Sequence, residues 1–237
     1  MFKIDTHLHT KECSQCSHVY ARDLVRAYAD LGFSGICVTD HYAENYFPYF
    51  GDDIHQPGDH LNAFLKGYYL VCEAAAAYGI RVYRGAEVRF NQECGNDFMV
   101  YGYPDSLLAD PLSVFQMGHE AFCKLARQSG AAVFQAHPFR AGCSPVDPSL
   151  IDGIEILNLN IYQQSYNEKA QAFAREHHLK VLGASDCHRA EGAGSAYIES
   201  DTLPADSDAL AQLLLSQNFR ICRREELGEL PWPKDKK

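Results

Sequence analysis

No stretch of this 237-residue chain reaches the roughly 18 consecutive apolar residues that a membrane-spanning helix requires. No membrane association is therefore expected. Residues 1–9 lack the basic start and following apolar segment of about 7–15 residues that mark a secretory leader. Basic runs are scarce as well, limited to "RICRREE" and the tail "PWPKDKK". With 31 acidic against 21 basic residues the formal charge is -10, which disfavours avid binding to a nucleic-acid backbone. Bound metal cations would offset part of that charge locally. Internal repeats, low-complexity tracts and linkers are missing, so a single domain over residues 1–237 is expected. The nine cysteines are odd in number and scattered, without the framework of a small disulfide-stapled domain. They read as mostly reduced thiols of a cytoplasmic protein. "CSQC" (Cys13, Cys16) has no second CxxC to complete a zinc site. What remains is ordinary for a soluble enzyme, with 46% apolar and 22% charged residues.

What is present is an alternation. "FKIDTHLH" reads as a strand and "ARDLVRAYADLG" as an amphipathic helix closed by Gly32. "GICVTDH" is a short buried strand, and "HLNAFLKGYYLVCEAAAAYG" a longer helix ending at Gly79. Two strands with a short connection follow, "IRVYRGAEVRF" and "DFMVYGYP", then the helix "GHEAFCKLARQSG" and the strand "AAVFQAHP". After a Pro- and Gly-rich loop come the strand "GIEILNLN", the helix "NEKAQAFAREHHL" and the strand "KVLGASDCH". A last helix, "DALAQLLLSQ", leads to a possible final strand in "NFRICRRE". Seven strands precede Cys187, and the alternation predicts parallel βαβ units in a barrel or an open sheet.

The chemistry-bearing side chains fall at the C-terminal ends of these strands. His7 and His9 end the first, and their i, i+2 spacing puts both on one face. Asp40 and His41 end the second and Glu87 the third. His137 ends the fifth, Glu155 and Asn158 lie on the sixth, and Asp186 and His188 end the seventh. Barrels of parallel strands build their active sites at that end. Imidazole with carboxylate suits zinc, iron or manganese. His7, His9, His41, His137 and His188 with Glu87 and Asp186 exceed the needs of one four-coordinate ion. Two or three divalent ions are expected. Such clusters bring the pKa of bound water toward ~7 and clamp the oxygens of a displacement, which predicts a metal-dependent hydrolase of phosphate esters.

The motifs "DTHLHT" (5–10), "TDH" (39–41), "GAE" (85–87), "AHPFR" (136–140) and "SDCH" (185–188), in this order, resemble the PHP family, the polymerase and histidinol phosphatase domain. The resemblance implies an α/β fold, a distorted (β/α)7 barrel of TIM-barrel type, with two or three metals at its C-terminal mouth. It also implies His7, His9, Glu87 and Asp186 as ligands of a first ion, with Glu87 bridging, His137 as a ligand of a second, and His41 and His188 of a third. Two departures stand out. "NDFMVYGYP" has no histidine on the strand after the glutamate. The further ligand due soon after the HxH pair could be Glu12, Cys13, Cys16 or His18.

Asp40, facing away from His41, reads as a supporting carboxylate. Arg140 is a candidate for binding substrate phosphate through its guanidinium, with a surface salt bridge as its alternative, and Arg189 is a weaker one. "EGAGSAY" could cradle a phosphate or form a plain turn, and "HYAENYFPYFGDD" could be a lid or core packing. His18, His55, His60, His119, His177 and His178 read as caps or surface residues. The expected function is hydrolysis of a small phosphorylated metabolite, histidinol phosphate being the best-known substrate of the class, by attack of metal-bound hydroxide. Alternatives are a nuclease or phosphodiesterase, a protein-tyrosine phosphatase, and a non-catalytic metal-binding module. Substrate and oligomeric state are open.

Overall fold

The computed structural model describes residues 1–90 and 95–227, which leaves the basic tail outside the described residues. The strands are β1 (Phe2–Leu8), β2 (Gly35–Val38), β3 (His41–Ala43), β4 (Arg81–Arg89), β5 (Asp97–Tyr101), β6 (Ala132–Gln135), β7 (Gly153–Asn158), β8 (Lys180–Ala184), β9 (Ala196–Ser200) and β10 (Arg220–Arg223). The helices are α1 (Ala21–Asp30), α2 (His60–Ala75), α3 (Pro111–Gln128), α4 (Asn167–Glu176) and α5 (Ser207–Ser216).

The strands hydrogen-bond in the order β10-β9-β1-β2-β4-β5-β6-β7-β8, with β3 also paired to β4. The sheet curls until the segment after β8 meets β1 through a parallel bridge between Leu8 and Cys187. There the His9 N–H donates to the Cys187 carbonyl at 3.0 Å, and the Cys187 N–H to the His7 carbonyl at 3.3 Å. Lower on β1 the same edge is taken by β9, antiparallel, from Phe2↔Ser200 to Ile4↔Ile198. The result is a nearly closed, distorted TIM-like α/β barrel.

The predicted run of parallel strands holds except at β5, which is antiparallel to both β4 and β6. The physical reason lies in the connection. Phe90 and Asp97 are too close in sequence for a crossover, which needs a dozen or more residues, so the chain must turn back as a hairpin. β3 and β9 are additional strands. "EGAGSAY" is a 3₁₀ turn, Ala190–Gly192, leading into β9. The stretch 41–53 contains β3 and a 3₁₀ run, Glu44–Phe50. Its Tyr42 and Phe47 are fully buried in the main core cluster, so it packs as core while Tyr46 faces the mouth.

The helices follow their apolar faces. On α1, Ala21, Leu24, Val25 and Tyr28 are buried at helical spacing. α2 starts where Asp59 accepts from the Asn62 N–H at 3.3 Å. Gly67 on α2 lies so close to the barrel mouth that a Cβ there would collide with Thr10 Oγ1 and Asp40 Oδ2. α3 begins seven residues before the expected Gly118, because Asp110 caps it with Pro111 in the first turn. Gly118 instead kinks the helix, with φ 75°.

Candidate metal centre

At the mouth, the end of β1 carries His7 and His9. His7 Nδ1 meets Glu155 Oε1 at 2.7 Å, which leaves Nε2 to face His9 Nε2 at 3.0 Å. Glu87, from β4, brings Oε1 to 3.4 Å of His7 Nε2 and Oε2 to 3.2 Å of His9 Nε2. Asp186, just beyond β8, brings Oδ1 to 3.5 and 3.4 Å of the same nitrogens. His41 Nδ1 lies 2.9 Å from Glu87 Oε2, His137 Nε2 3.1 Å from Glu87 Oε1, and His188 Nδ1 3.2 Å from Asp186 Oδ1. The structure thus gathers all seven residues that the sequence singled out as metal ligands into one cluster. All but His188 are buried.

Supporting groups fix these side chains. Glu155 Oε2 also accepts from the His137 N–H at 3.1 Å and from Asn158 Nδ2 at 2.9 Å. Asp40 does face away from the cluster. It accepts from Thr10 N–H and Oγ1, both at 2.7 Å, and from Ser14 Oγ at 2.6 Å, and Ser14 Oγ lies 3.2 Å from His9 Nδ1. Two cluster residues hold left-handed backbone, His137 at φ 29° and Asp186 at φ 51°. For non-glycine residues each such position costs on the order of 1–3 kcal/mol, and such costs concentrate at functional sites.

Burial would raise the Glu87 carboxyl, but the imidazoles of His41, His7 and His137 hold it well below the usual carboxylate range. Asp186 is likewise held well below, against its burial, by Arg140, His7 and His188. Burial would lower the imidazoles in turn. Glu155, Asp186 and Glu87 nevertheless raise His7 well above its ordinary value, and Asp186 does the same for His188. His41 is pushed up to about 10, chiefly by Glu87, against its own burial. Without ions, protons supply the positive charge that the carboxylates demand.

Two residues stand where the motifs leave gaps. Asp97, at the start of β5, is fully buried, with Oδ2 3.5 Å from His137 Nε2, and its carboxylate is gripped by Arg89 Nε and Nη2 at 2.5 and 2.6 Å. His41, Glu87 and Asp97 each offer a donor atom within 4.8 Å of the others. Because β5 runs backwards, its first residue rather than its last reaches the mouth. The second residue is Cys16, whose Sγ lies 3.1 Å from His188 Nε2 and accepts from Tyr46 Oη at 3.4 Å. Desolvation would raise this thiol, yet hydrogen bonds from His188 and His41 hold it down at about 4. Glu12 instead accepts the Ala21 N–H at the start of α1, and Cys13 Sγ accepts the Gly67 N–H at 3.1 Å. His18 is exposed on the rim.

Of the two arginines, Arg140 is turned inward. Its Nη2 donates to Asp186 Oδ2 at 2.6 Å, Asn158 Oδ1 at 2.9 Å and Ser165 Oγ at 3.1 Å, while its Nε is buried without a partner. The Arg189 guanidinium lies 5.1 Å from the Tyr162 ring and makes no ion pair among the described residues. Both line a cleft of roughly 620 Å³ whose floor is the cluster.

Whether cations fit is decided by the polar atoms left over. His41 Nδ1, Glu87 Oε2 and Asp186 Oδ1 are buried and make no hydrogen bond, although the first two lie 2.9 Å apart and Asp186 Oδ1 lies 3.2–3.5 Å from the nitrogens of His188, His9 and His7. An unsatisfied buried polar atom costs about 1–3 kcal/mol, more if charged. Donors that approach to 2.9–3.5 Å without bonding to each other point at common centres between them. The residues fit metal ions.

A barrel with imidazole and carboxylate donors converging at its mouth defines the class of metal-binding α/β barrels. The chain belongs to the PHP domain family, whose description matches residues 5–182, while residues 164–218 match one described as PHP-associated. No curated protein matches the chain. Among solved structures, a two-domain protein from Bacteroides vulgatus, described as containing a predicted PHP-like metal-dependent phosphoesterase, superposes with a TM-score of 0.66 at 18% identity. That match covers 94% of this chain, which spans 65% of that protein's length. PsfC from Pseudomonas syringae is similar at a TM-score of 0.63 and 16% identity, covering 95% of this chain and 92% of that one. The lesion-specific endonuclease PfuEndoQ from Pyrococcus furiosus is similar at 0.56 and 12%, covering 93% and 57%. These likenesses are of fold. No helix among the described residues is long and apolar enough to cross a membrane.

Proposed function

We propose that this chain is a metal-dependent phosphoesterase that hydrolyses a small phosphorylated metabolite, with phosphomonoesterase activity of the histidinol-phosphatase kind. The observation that carries this reading is the set of buried, unpartnered donor atoms, His41 Nδ1, Glu87 Oε2 and Asp186 Oδ1, on the floor of an open cleft. Seven residues would hold two or three ions of zinc, iron or manganese: His7, His9, His41, Glu87, His137, Asp186 and His188, with Asp97 in place of the absent histidine. Bound there, the ions would supply Lewis acidity toward phosphoryl oxygens and a nucleophile generated from water near neutral pH.

The remaining work falls to the chain. Glu155 holds the His7 ring with its Nδ1 proton outward, so that Nε2 presents a lone pair to the cluster. Arg140 balances Asp186 and keeps one carboxylate oxygen free. Arg189, which has no acidic partner among the described residues, offers its guanidinium to a phosphate at the rim, and the adjoining Tyr162 ring offers an apolar wall to the rest of the substrate. The likeness to PfuEndoQ keeps a nucleic-acid phosphodiester as the second substrate to test.

The experiment is a metal-reconstituted screen of phosphorylated metabolites, with a labelled oligonucleotide and a phosphotyrosine peptide alongside and Glu87→Ala as control. Turnover of a phosphomonoester that is lost in Glu87→Ala is the expected result. Cleavage of the oligonucleotide or the peptide in place of every metabolite would replace this reading. So would fewer than two ions per chain, which would favour a non-catalytic module.

A further inference from the structure

The loop after β1 is pinned across the mouth. The Ser14 N–H donates to the Thr10 carbonyl at 2.9 Å, Ser17 Oγ to the His9 carbonyl at 3.1 Å, and the His18 N–H to the His188 carbonyl at 2.8 Å. These bonds tie the loop to the ends of both β1 and β8, so Cys16 is held over the rim side of the cluster. Its Sγ reaches His188 Nε2 at 3.1 Å. Tyr46 backs the arrangement from the other side, with Oη 3.4 Å from Sγ and its ring 5.0 Å from that of His41.

Independently of the thiol, His9, His41 and His188 each present a donor within 4.8 Å of the others, and His41 Nδ1 is buried without a hydrogen bond. Three imidazoles around one point accept a cation with an open fourth position. Beside this group stands sulfur, Cys16 Sγ, 3.1 Å from His188 Nε2.

We propose that Cys16 is a ligand of the outermost ion, giving it a mixed nitrogen–sulfur set with His41 and His188. Sulfur ligation selects thiophilic ions such as zinc, cobalt or cadmium over manganese, whereas the deeper donors Glu87, Asp97 and Asp186 are oxygen ligands. One chain then holds ions of different preference at the floor and at the rim. This inference rests on the metal reading of the cleft.

The test loads the full chain with cobalt(II) and reads the sulfur-to-cobalt charge-transfer band in the near ultraviolet, with the metal content of each sample. Wild type and Cys143→Ser are expected to show the band. Cys143 is the control because its Sγ lies 3.8 Å from His137 Nδ1. Cys16→Ser should lose the band, keep the inner cobalt, and bind its outermost zinc at least roughly tenfold more weakly. In wild type, zinc should also protect Cys16 from iodoacetamide in peptide mapping, a measurement that needs no variant. Cobalt bound without a sulfur band, a band that survives Cys16→Ser, or equal alkylation of Cys16 with and without zinc would overturn the assignment. A wild-type chain that retains no ion would overturn the metal reading beneath it.

Discussion

Glu155→Gln separates holding a ligand from being one. All three partners of Glu155 donate to it: His7 Nδ1 at 2.7 Å, the His137 N–H at 3.1 Å and Asn158 Nδ2 at 2.9 Å. Glutamine has one accepting oxygen and one donating NH₂. With the oxygen toward His7, the NH₂ confronts two donors and both bonds are lost. With the oxygen toward His137 and Asn158, the NH₂ pushes the His7 proton onto Nε2, which blocks the lone pair aimed at the cluster. Hydrogen bonds to a charged group contribute about 1.5–3 kcal/mol each, so either orientation costs a few kcal/mol. One effect runs the other way. Glu155 helps to raise the His7 imidazole, so its neutralisation lets His7 shed its proton at lower pH and eases metal entry. The net expectation is a loss of roughly 10- to 100-fold in metal affinity, read by chelator competition with zinc or manganese at pH 7. The apo variant is compared by thermal melting to remove any general unfolding. Affinity within about threefold of wild type, with the apo fold intact, would refute the claim that Glu155 sets the His7 tautomer.

Three further outcomes are expected. Gly67→Ala should destabilise the protein by roughly 1–3 kcal/mol or more in urea denaturation, because its Cβ would strike Thr10 and Asp40 and force α2 off the mouth. Burial pushes the Asp5 carboxyl up from its usual 3.8 to about 6. The native state therefore binds the proton more tightly, and stability falls as pH rises from about 4 to 6, by about 3 kcal/mol in all. Asp5→Asn should flatten that segment of the apo stability profile, its amide oxygen accepting from the His7 and Ser185 N–H groups and its NH₂ donating to Tyr28 Oη; an unchanged slope would rule Asp5 out as its source. Finally, His7, His41 and His188 are raised so far that the apo protein keeps their protons at pH 7. Metal binding should then release protons and strengthen as pH rises, measurable by calorimetry in buffers of differing ionisation enthalpy. Heat independent of buffer would contradict it.

Much of the centre was readable along the chain because its donors sit at strand ends. His7 and His9 share a face by the period of two, and "TDH", "GAE", "AHPFR" and "SDCH" each close a short apolar run. Strand ends identify donors less well where strand direction matters. Asp97 opens "DFMVYGYP", which as one more parallel strand would bring no ligand to the mouth. The short connection before it already implied a hairpin, which turns a strand's beginning toward the mouth.

The sequence by itself determined the alternation of elements, the kind of donor at each strand end and the family. Those are local properties, written in periodicity and residue type. Only the tertiary structure decided which of Glu12, Cys13, Cys16 and His18 faces the cluster, since the four share one short loop and differ in what packs against them. It also decided that Arg140 pairs with Asp186 while Arg189 lies over the Tyr162 ring with no ion pair among the described residues. Partners such as His188 and Cys16 lie 172 residues apart in sequence, and a contact of that kind exists only once the barrel has closed.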